Sequence, residues 1–349
     1  MLDTDSLIHA AGRWFLNSGI QEPGGGMARY YRADLGQNAR VSTEITGYGV
    51  SALLFLHERT KELAYLDAAV RAARFLTRVA WIPELETFPF EVVDGPRFTY
   101  FFDCGIIVRG LAAAWCATGE AEFRDVAVAA GRSMIADFQA DGAIHPILAL
   151  PDKRPLAYEP RWSARPGCYQ LKAAMAWYEL FQATGESAFL RAYEAALEQA
   201  LAGEREFLPG DPDREKVMDR LHAYGYFLEG LLPALDRPAC AEAFRAGLDR
   251  TAAYLRDIAP VFERSDVVAQ LLRARLAGNA RGVPLDETAA AEEAARVATF
   301  QTPSGGFLFG RKHGEPMPFV NPVSTAFCVQ ALALWEDRSA QLDRKSSVI

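Results

Sequence analysis

Four carboxylates and one histidine lie in or beside apolar stretches of the sequence, where burying an ionisable group is costly: Glu44, Asp103, Glu229, Asp266 and His222. Two carboxyl groups on either side of a substrate can serve as general acid and general base. An apolar environment keeps the proton on the acid. We predict that Asp103 and Glu229 are such a pair, with Glu44 and Asp266 as the alternative candidates.

A second reaction type needs a different base. If a proton is removed from carbon in a β-elimination, His222 or Tyr224 becomes the predicted base. Arginine side chains would then neutralise a carboxylate on the substrate.

Aromatic and basic residues accompany these groups and form a predicted binding set. Its members are Tyr48, Phe102, Arg109, Arg161, Trp162, Tyr169, Lys172, Tyr224, Arg264 and Asn321. Aromatic rings stack on the apolar CH faces of a sugar or similar polyol, and polar groups bind its hydroxyls. The basic members together would bind a carboxylate, which favours an acidic sugar.

Each of these residues also has a purely structural interpretation. Glu44 and Asp103 could cap the helices that begin near them, or form ion pairs. Arg109, Lys172 and Glu229 take nearly the same place in a repeat, so they could form a ring of internal ion pairs. His222 could be an interior histidine with satisfied hydrogen bonds, and the aromatic residues could serve packing alone.

An internal repeat of roughly 60 residues predicts the scaffold that positions the set. Its apolar cores begin at Ser51, Arg109, Lys172, Glu229, Ala269 and Gln330. Three of these cores are followed by similar sequences, RTKELAYLDAAV, ATGEAEFRDVAV and ATGESAFLRAYE. The TGE turn ends one helix and starts the next. The first helix of each repeat is apolar on all sides, which predicts burial all round, whereas the second is amphipathic.

Six helical hairpins of this kind cover nearly the whole chain. They predict an all-α fold, an (α/α)6 toroid with six inner and six outer helices, as one domain at residues 1–338. The first outer helix is predicted at about Asp5–Leu16, and residues 339–349 as a flexible tail. A helical solenoid is the alternative, which the all-round burial of each first helix disfavours.

Long connections are predicted at the N-terminal ends of the inner helices: 18–42, 81–99, 139–165, 205–220 and 302–321, with a short one at 257–263. Their Gly-rich and aromatic text predicts short β-hairpins. Loops on a rigid scaffold commonly carry function, and helix N-termini attract negative charge. The predicted site is therefore a central funnel at this end.

Composition narrows the classes of function. The 349 residues carry a net charge of -8, with a pI near 5.3, which disfavours a nucleic-acid-binding surface. The five cysteines form no CxxC pair and are predicted to be reduced thiols, and the histidines share no zinc-ligand spacing. No cofactor or metal is predicted. Neither a signal peptide nor an apolar run of membrane-spanning length is recognised, so a cytoplasmic location is expected.

The repeat architecture and the texts STEITGYG, FDCG, HAYGY and PSGGF resemble the six-hairpin (α/α)6-toroid carbohydrate-active enzymes, over about residues 1–338. This superfamily includes glycoside hydrolases, uronyl hydrolases, sugar epimerases and polysaccharide lyases. The resemblance implies two carboxylates as acid and base, or a His/Tyr pair in a lyase. It assigns neither role to a particular residue here.

We therefore expect a carbohydrate-active enzyme, like a glycoside hydrolase or lyase, that acts on an oligosaccharide containing an acidic sugar. The alternative is a non-catalytic toroid that binds a glycan or partner protein, with Asp103, Glu229 and Asp266 each held by an arginine or lysine. A third possibility is a terpenoid cyclase-like enzyme, since Phe300–Phe307 echoes a Gln-x-x-x-Gly-Gly element of such toroids. The chain has no DxDD acid motif and only a poor substitute for a prenyltransferase zinc set, which disfavours it.

Overall fold

The computed structural model describes residues 2–95, 97–140, 142–338 and 349. Its helices are α1 (Thr4–Asn17), α2 (Thr43–Thr60), α3 (Leu63–Phe75), α4 (Phe101–Thr118), α5 (Ala121–Phe138), α6 (Leu171–Thr184), α7 (Ser187–Phe207), α8 (Arg214–Leu231), α9 (Pro238–Ile258), α10 (Ser265–Asn279), α11 (Glu287–Ala298) and α12 (Pro322–Asp337). A π-helical segment, Leu76–Ala80, extends α3. All six predicted inner helices are present.

Short strands lie in the connections. They are β1 (Met27–Ala28), β2 (Tyr31–Arg32), β3 (Gln37–Asn38), β4 (Val41–Ser42), β5 (Arg97–Tyr100), β6 (Gln139–Ala140), β7 (Ala143–Ile144), β8 (Ile147–Leu150), β9 (Arg154–Pro155), β10 (Phe262–Arg264), β11 (Gly310–Lys312), β12 (Glu315–Pro316) and β13 (Phe319–Val320). All pairings are antiparallel, in the sheets β1-β4, β10-β11-β12, β13-β2-β3, β5-β8-β9 and β6-β7. The predicted short hairpins are confirmed as β2–β3, β6–β7, β8–β9 and β11–β12, whereas strand β5 of the connection 81–99 pairs with β8 and forms no hairpin within its own connection.

The described chain divides into two compact units. The N-terminal unit comprises Gly19–Arg29 and Arg40–Gly203, and the C-terminal unit comprises Met1–Ser18, Tyr30–Ala39 and Glu204–Ile349. The prediction of a single domain over residues 1–338 stays a prediction. The predicted tail lies outside the described residues, apart from Ile349, which is buried and receives a hydrogen bond from Arg273.

Each unit contains three inner helices that pack side by side. In the N-terminal unit α4 packs between α2 and α6, and in the C-terminal unit α10 packs between α8 and α12. Outer helices cover them: α3 and α5 in the first unit, and α9, α11 and α1 in the second. The inner helices are buried along most of their length, whereas the outer helices alternate buried and exposed residues, as the two sequence patterns predict.

The turns between inner and outer helices repeat one geometry. Lys61, Gly119 and Gly185 end α2, α4 and α6 in the left-handed backbone region, with φ of 62°, 73° and 75°. In each turn the preceding threonine hydroxyl accepts a bond of 3.2 Å from the amide of the following glutamate. The RTKE and ATGE texts therefore encode the same structure.

One predicted connection is wrong in length. Residues 205–220 were expected to be a long loop, but α7 continues to Phe207 and α8 begins at Arg214. Asp213 caps α8 by accepting a bond of 2.9 Å from the Glu215 amide, so the polar text here begins a helix. As a result, His222 lies in the third turn of α8 and not at its start.

Helix α4 is long and apolar enough to cross a membrane, in contrast to the expectation from sequence. In the structure 67% of this apolar segment is buried, as in the core helix of a globular protein. The cysteines are free thiols; Cys104, Cys168, Cys240 and Cys328 are buried, and Cys116 is exposed.

Candidate functional site

A close approach of two inner helices brings Glu44 and Asp103 together. A side chain at Gly47 would lie 3.0 Å from the Cα of Ile107, and one at Gly110 would lie 2.7 Å from the Gly47 carbonyl oxygen. This contact aligns α2 and α4 in parallel. One turn towards the N-termini from it, α2 carries Glu44 and α4 carries Asp103. The two carboxyl groups therefore lie at the starts of neighbouring helices.

Neither carboxyl group caps its helix. Ser42 caps α2 through a bond from the Ile45 amide, and α4 has no side-chain cap. Asp103 is 6% exposed, and no described residue is a hydrogen-bond partner of its Oδ2 atom. Glu44 keeps part of its surface accessible. The capping interpretation of these two residues is therefore wrong.

Burial makes both groups hold protons more tightly than usual. It raises the pKa of Glu44 to about 7, and Arg29 opposes this rise. Burial, and next the Glu44 carboxylate, raise the pKa of Asp103 well above its usual range, again against Arg29. Because the two titrate as a pair, a proton resides on them near neutral pH.

Arg29 is the cation that lowers the pKa of both carboxyl groups, although its guanidinium is bound to other residues. It donates a hydrogen bond of 2.8 Å to Glu91 and lies 4.7 Å from the centre of the Phe90 ring. It therefore moderates the charge of Glu44 and Asp103 without forming an ion pair with either. Sequence reasoning missed Arg29, because nothing in the loop before α2 shows that this residue lies near Asp103.

Aromatic residues surround this end of α4. Tyr169 is buried, and its ring centre lies 6.2 Å from that of Phe102 and 5.0 Å from that of Trp162. Its hydroxyl donates to the Arg165 carbonyl at 3.2 Å. Burial raises the pKa of Tyr169 well above its usual range, so it stays neutral. Phe102 and Trp162 are partly accessible, which leaves them able to contact a ligand.

A second cluster lies in the C-terminal unit around His222. Its Nδ1 atom lies 2.8 Å from Gln270 Oε1 and 3.6 Å from Asp266 Oδ2. Arg264 binds Asp266 through two bonds, of 3.0 and 2.7 Å, and Asp219 through one of 2.8 Å. Tyr226 packs edge-on against the His222 ring at 4.5 Å.

The hydrogen bonds of Gln270 fix the proton position on His222. The Gln270 amide nitrogen donates to the His222 carbonyl at 3.3 Å, so its Oε1 atom is the acceptor that faces Nδ1. Nδ1 therefore carries the hydrogen, and Nε2 keeps its lone pair. Burial and then Arg264 lower the pKa of His222 to about 4, against Asp266. His222 is a neutral base at physiological pH.

Solved structures of known proteins resemble this arrangement of helices. A sugar epimerase from a ruminal bacterium superposes with a TM-score of 0.73 and 12% identity, over 95% of this chain and 99% of that one. A cellobiose 2-epimerase from Spirochaeta thermophila gives 0.69 and 16%, over 94% and 98%. An unsaturated glucuronyl hydrolase specific for heparin gives 0.69 and 12%, over 98% and 99%.

The chain has the (α/α)6 toroid fold. No protein-family model matches it, and no curated protein matches it in sequence. At these identities the similarity shows the fold alone, so the chemistry of this toroid has to be argued from its own residues.

Glu229 and Asp266 are held by arginines in this toroid. Glu229 is fully buried, with its carboxylate 3.3 Å from the equally buried Arg273. Asp266 is bound by Arg264, which contributes to a lowered pKa despite its burial. The geometry favours Glu44, and not Glu229, as the partner of Asp103.

Arg109, Lys172 and Glu229 occupy different positions in their helices, and two of them form separate internal ion pairs, Arg109 with Glu179 and Glu229 with Arg273. The ring of internal ion pairs stays a prediction. The three residues are the ninth, second and sixteenth residues of α4, α6 and α8. Arg109 of α4 donates a hydrogen bond of 2.8 Å to Glu179 of the neighbouring inner helix, α6. Lys172 is fully buried. Apolar cores of unequal length had aligned them in the sequence.

Three further members of the predicted binding set serve structure. Tyr224 is buried and donates a bond of 2.6 Å to Glu204, which makes it a poorer base than His222. Tyr48 is 1% exposed. Asn321 caps α12 by accepting bonds from the Val323 and Ser324 amides. Arg161 differs from these, because its side chain is 56% exposed.

The FQTPSGGF text has a structural role that weakens its terpenoid interpretation. Gln301 donates to the carbonyl oxygens of Leu7 and Gly305, at 2.7 and 3.0 Å. Gln21 in QEPGGGM donates in the same way to Ala68 and Gly25. Each glutamine thus fastens a Gly-rich turn to an outer helix. Among the described residues, no group of His, Cys, Asp and Glu is arranged to hold a metal ion.

Proposed function

We propose that this protein is a carbohydrate-active enzyme that cleaves an oligosaccharide containing an acidic sugar, with Glu44 and Asp103 as its acid–base pair. The observation that carries the proposal is this pair itself. The two carboxyl groups are neighbours, neither forms an ion pair with any residue that the structure describes, and burial keeps a proton on them. A structural ion pair would have the opposite properties.

The proposed chemistry follows from the shared proton. The protonated carboxyl group donates to the oxygen of the leaving sugar, and the ionised one activates water or stabilises positive charge at the sugar carbon. Asp103 is the more deeply buried and Glu44 the more accessible. Phe102 and Trp162 would provide apolar surface against which sugar rings stack. The neighbours named as an epimerase of cellobiose and a hydrolase specific for heparin support a saccharide as ligand.

A non-catalytic glycan-binding toroid remains the contrasting reading. It expects Asp103, Glu229 and Asp266 each to be held by a basic residue. Glu229 and Asp266 meet that expectation, whereas Asp103 does not. The environment of Asp103 therefore favours an enzyme over a non-catalytic binding protein.

The state of His222 favours a second candidate reaction. A neutral imidazole whose Nε2 keeps its lone pair can accept the proton from carbon next to a carboxylate, after which the C–O bond to the leaving sugar breaks and the oxygen of that sugar takes a proton from water. Such a reaction yields an unsaturated sugar, whose new double bond absorbs ultraviolet light. Cleavage with water yields no such absorbance.

The test is a thermal-shift screen of purified protein against neutral and uronate-containing oligosaccharides, followed by mass spectrometry of each hit. Asp103→Asn and Glu44→Gln should each lower turnover by at least roughly a hundredfold while binding persists. Asp125→Asn, at an exposed position of α5, is the matched control. If His222→Gln alone abolishes turnover, elimination replaces the acid–base pair. Binding without turnover by the wild type would instead establish the glycan-binding reading.

A further inference from the structure

A cavity of about 180 Å³ lies beside the N-terminal end of α4 in the N-terminal unit. Phe98, Ile147 and Leu156 form part of its apolar wall, and Tyr100, Glu159 and Arg161 provide polar groups. An apolar wall with a few converging polar groups is the usual character of a small-ligand site. Its volume lies below the roughly 300 to 1,000 Å³ of pockets that enclose a whole ligand, so it would take only a part of a larger ligand.

Tyr100, a residue of the cavity wall, connects the cavity to Asp103 of the carboxyl pair. Tyr100 ends strand β5, pairs in register with Ile147 of β8, and precedes Asp103 by three residues. The Tyr100 hydroxyl is under the electrostatic influence of both Asp103 and Arg161. A saccharide whose reacting bond lies at Asp103 would therefore extend its neighbouring unit past Tyr100.

The charged side chains of this cavity are exposed, and Arg161 interacts with both Glu159 and the Tyr100 hydroxyl. Arg161 Nε lies 3.5 Å from Glu159 Oε2, and the two side chains are 56% and 60% exposed. An exposed ion pair at this distance is weak, so an incoming anion can replace Glu159. A planar guanidinium binds a carboxylate through two parallel hydrogen bonds, which favours this replacement.

We propose that this cavity binds the saccharide unit next to the one that reacts, and that Arg161 selects a uronate carboxylate on that unit. Glu159 is the counter-ion of Arg161 in the free protein and opposes anionic ligands. The inference rests on the proposed function, and it adds a specificity-determining residue and a subsite to it. It also predicts opposite effects for two residues that lie two positions apart.

The test measures binding of two disaccharides that differ only in a carboxylate or hydroxymethyl group on one ring, by calorimetry on the Asp103→Asn background. Arg161→Gln should weaken binding of the uronate disaccharide by roughly ten- to a hundredfold and leave the neutral one within about twofold. Glu159→Gln should tighten binding of the uronate disaccharide by up to about fivefold. Arg154→Gln, an exposed residue of strand β9, is the charge-matched control.

Turnover distinguishes failure of this subsite from failure of the proposed function. If uronate preference survives Arg161→Gln, or if Arg154→Gln has the same effect, the subsite assignment is overturned while turnover that depends on Glu44 and Asp103 stands. If neither disaccharide binds and no saccharide is turned over, both proposals fall. Raised salt should reduce only the uronate binding in the wild type.

Discussion

Gly47 of α2 packs closely against the backbone of Ile107 in α4, so that a Cβ atom there would be 3.0 Å from the Ile107 Cα and 3.1 Å from its amide nitrogen, closer than such atoms usually approach. The contact sets the separation of two helices whose first turns carry Glu44 and Asp103. The electrostatic coupling of the carboxyl pair therefore depends on the absence of a side chain one turn away.

Gly47→Ala should destabilise the protein by about 1 to 3 kcal/mol, because the backbone of α4 must move away to accept the methyl group. Chemical denaturation measures the free energy of unfolding. Gly203→Ala in α7 is the control: a Cβ atom there meets nothing within 4 Å, so it should be neutral or stabilising by up to about 1 kcal/mol. Equal effects of the two substitutions would contradict the role of Gly47.

Glu44→Gln should make the protein more stable than the wild type at pH 8. The pKa of Glu44 is raised to about 7 in the fold from 4.5. Between these values the folded state binds more protons than the unfolded state, so wild-type stability falls as pH rises. The difference should grow from near zero at pH 4 to roughly 1 to 3 kcal/mol at pH 8. A difference independent of pH between 4 and 8 would rule out the buried, protonated state of Glu44.

His222 should have the opposite pH dependence. Its pKa is lowered to about 4 from 6.5, so the unfolded state binds more protons between these values and stability is lost as the pH falls. His222→Gln should lessen the acid destabilisation between pH 6.5 and 4 by roughly 1 to 3 kcal/mol. Nitrogen chemical shifts of the ring should also report Nδ1–H in the wild type. An Nε2–H tautomer would contradict the hydrogen bond to Gln270.

Arg273→Met should be one of the most damaging single substitutions in the C-terminal unit. It removes the cation beside Glu229, which is completely buried, and should cost about 3 to 5 kcal/mol. Adding Glu229→Met should recover much of that loss, because no uncompensated charge is then left inside. A double variant as unstable as the single one would show that Arg273 acts through its other contacts, with Phe327 and Ile349.

Much of the scaffold is predictable because its signals are local and repeated. Apolar inner helices, amphipathic outer helices and the Thr-turn-Glu text predicted the six inner helices and the hairpin turns. The first outer helix, predicted at Asp5–Leu16, is Thr4–Asn17. The connection 205–220 was predicted too long because the first turn of α8 is polar and mostly exposed, so its sequence resembles that of a loop.

The candidate site is predictable only in part. Glu44, Asp103 and His222 stand out as ionisable groups in apolar text, but their pairing depends on register between helices. Gly47 and Gly110 encode that register, and one sequence does not show which residues a glycine faces. Arg29 and Gln270 escaped notice for the same reason, since their effect lies in a partner far along the chain. Tyr224 was predicted as a site residue because the sequence does not show which group its hydroxyl contacts.

Gln21 and Gln301 each hold a Gly-rich turn in place. Substitutions in these turns should be tolerated less well than substitutions in the rest of the same connections. A side chain at Gly25 or Gly305 would collide with the carbonyl oxygen of Arg71 or Ala10, and Thr46 or Thr325 receives the amide at the end of each turn. The hairpins that follow, β2–β3 and β11–β12, lie outside these anchors. Sequence changes should therefore be tolerated better at the exposed tips of these hairpins, whose strands pair with β13 and β10, than at the anchored turns.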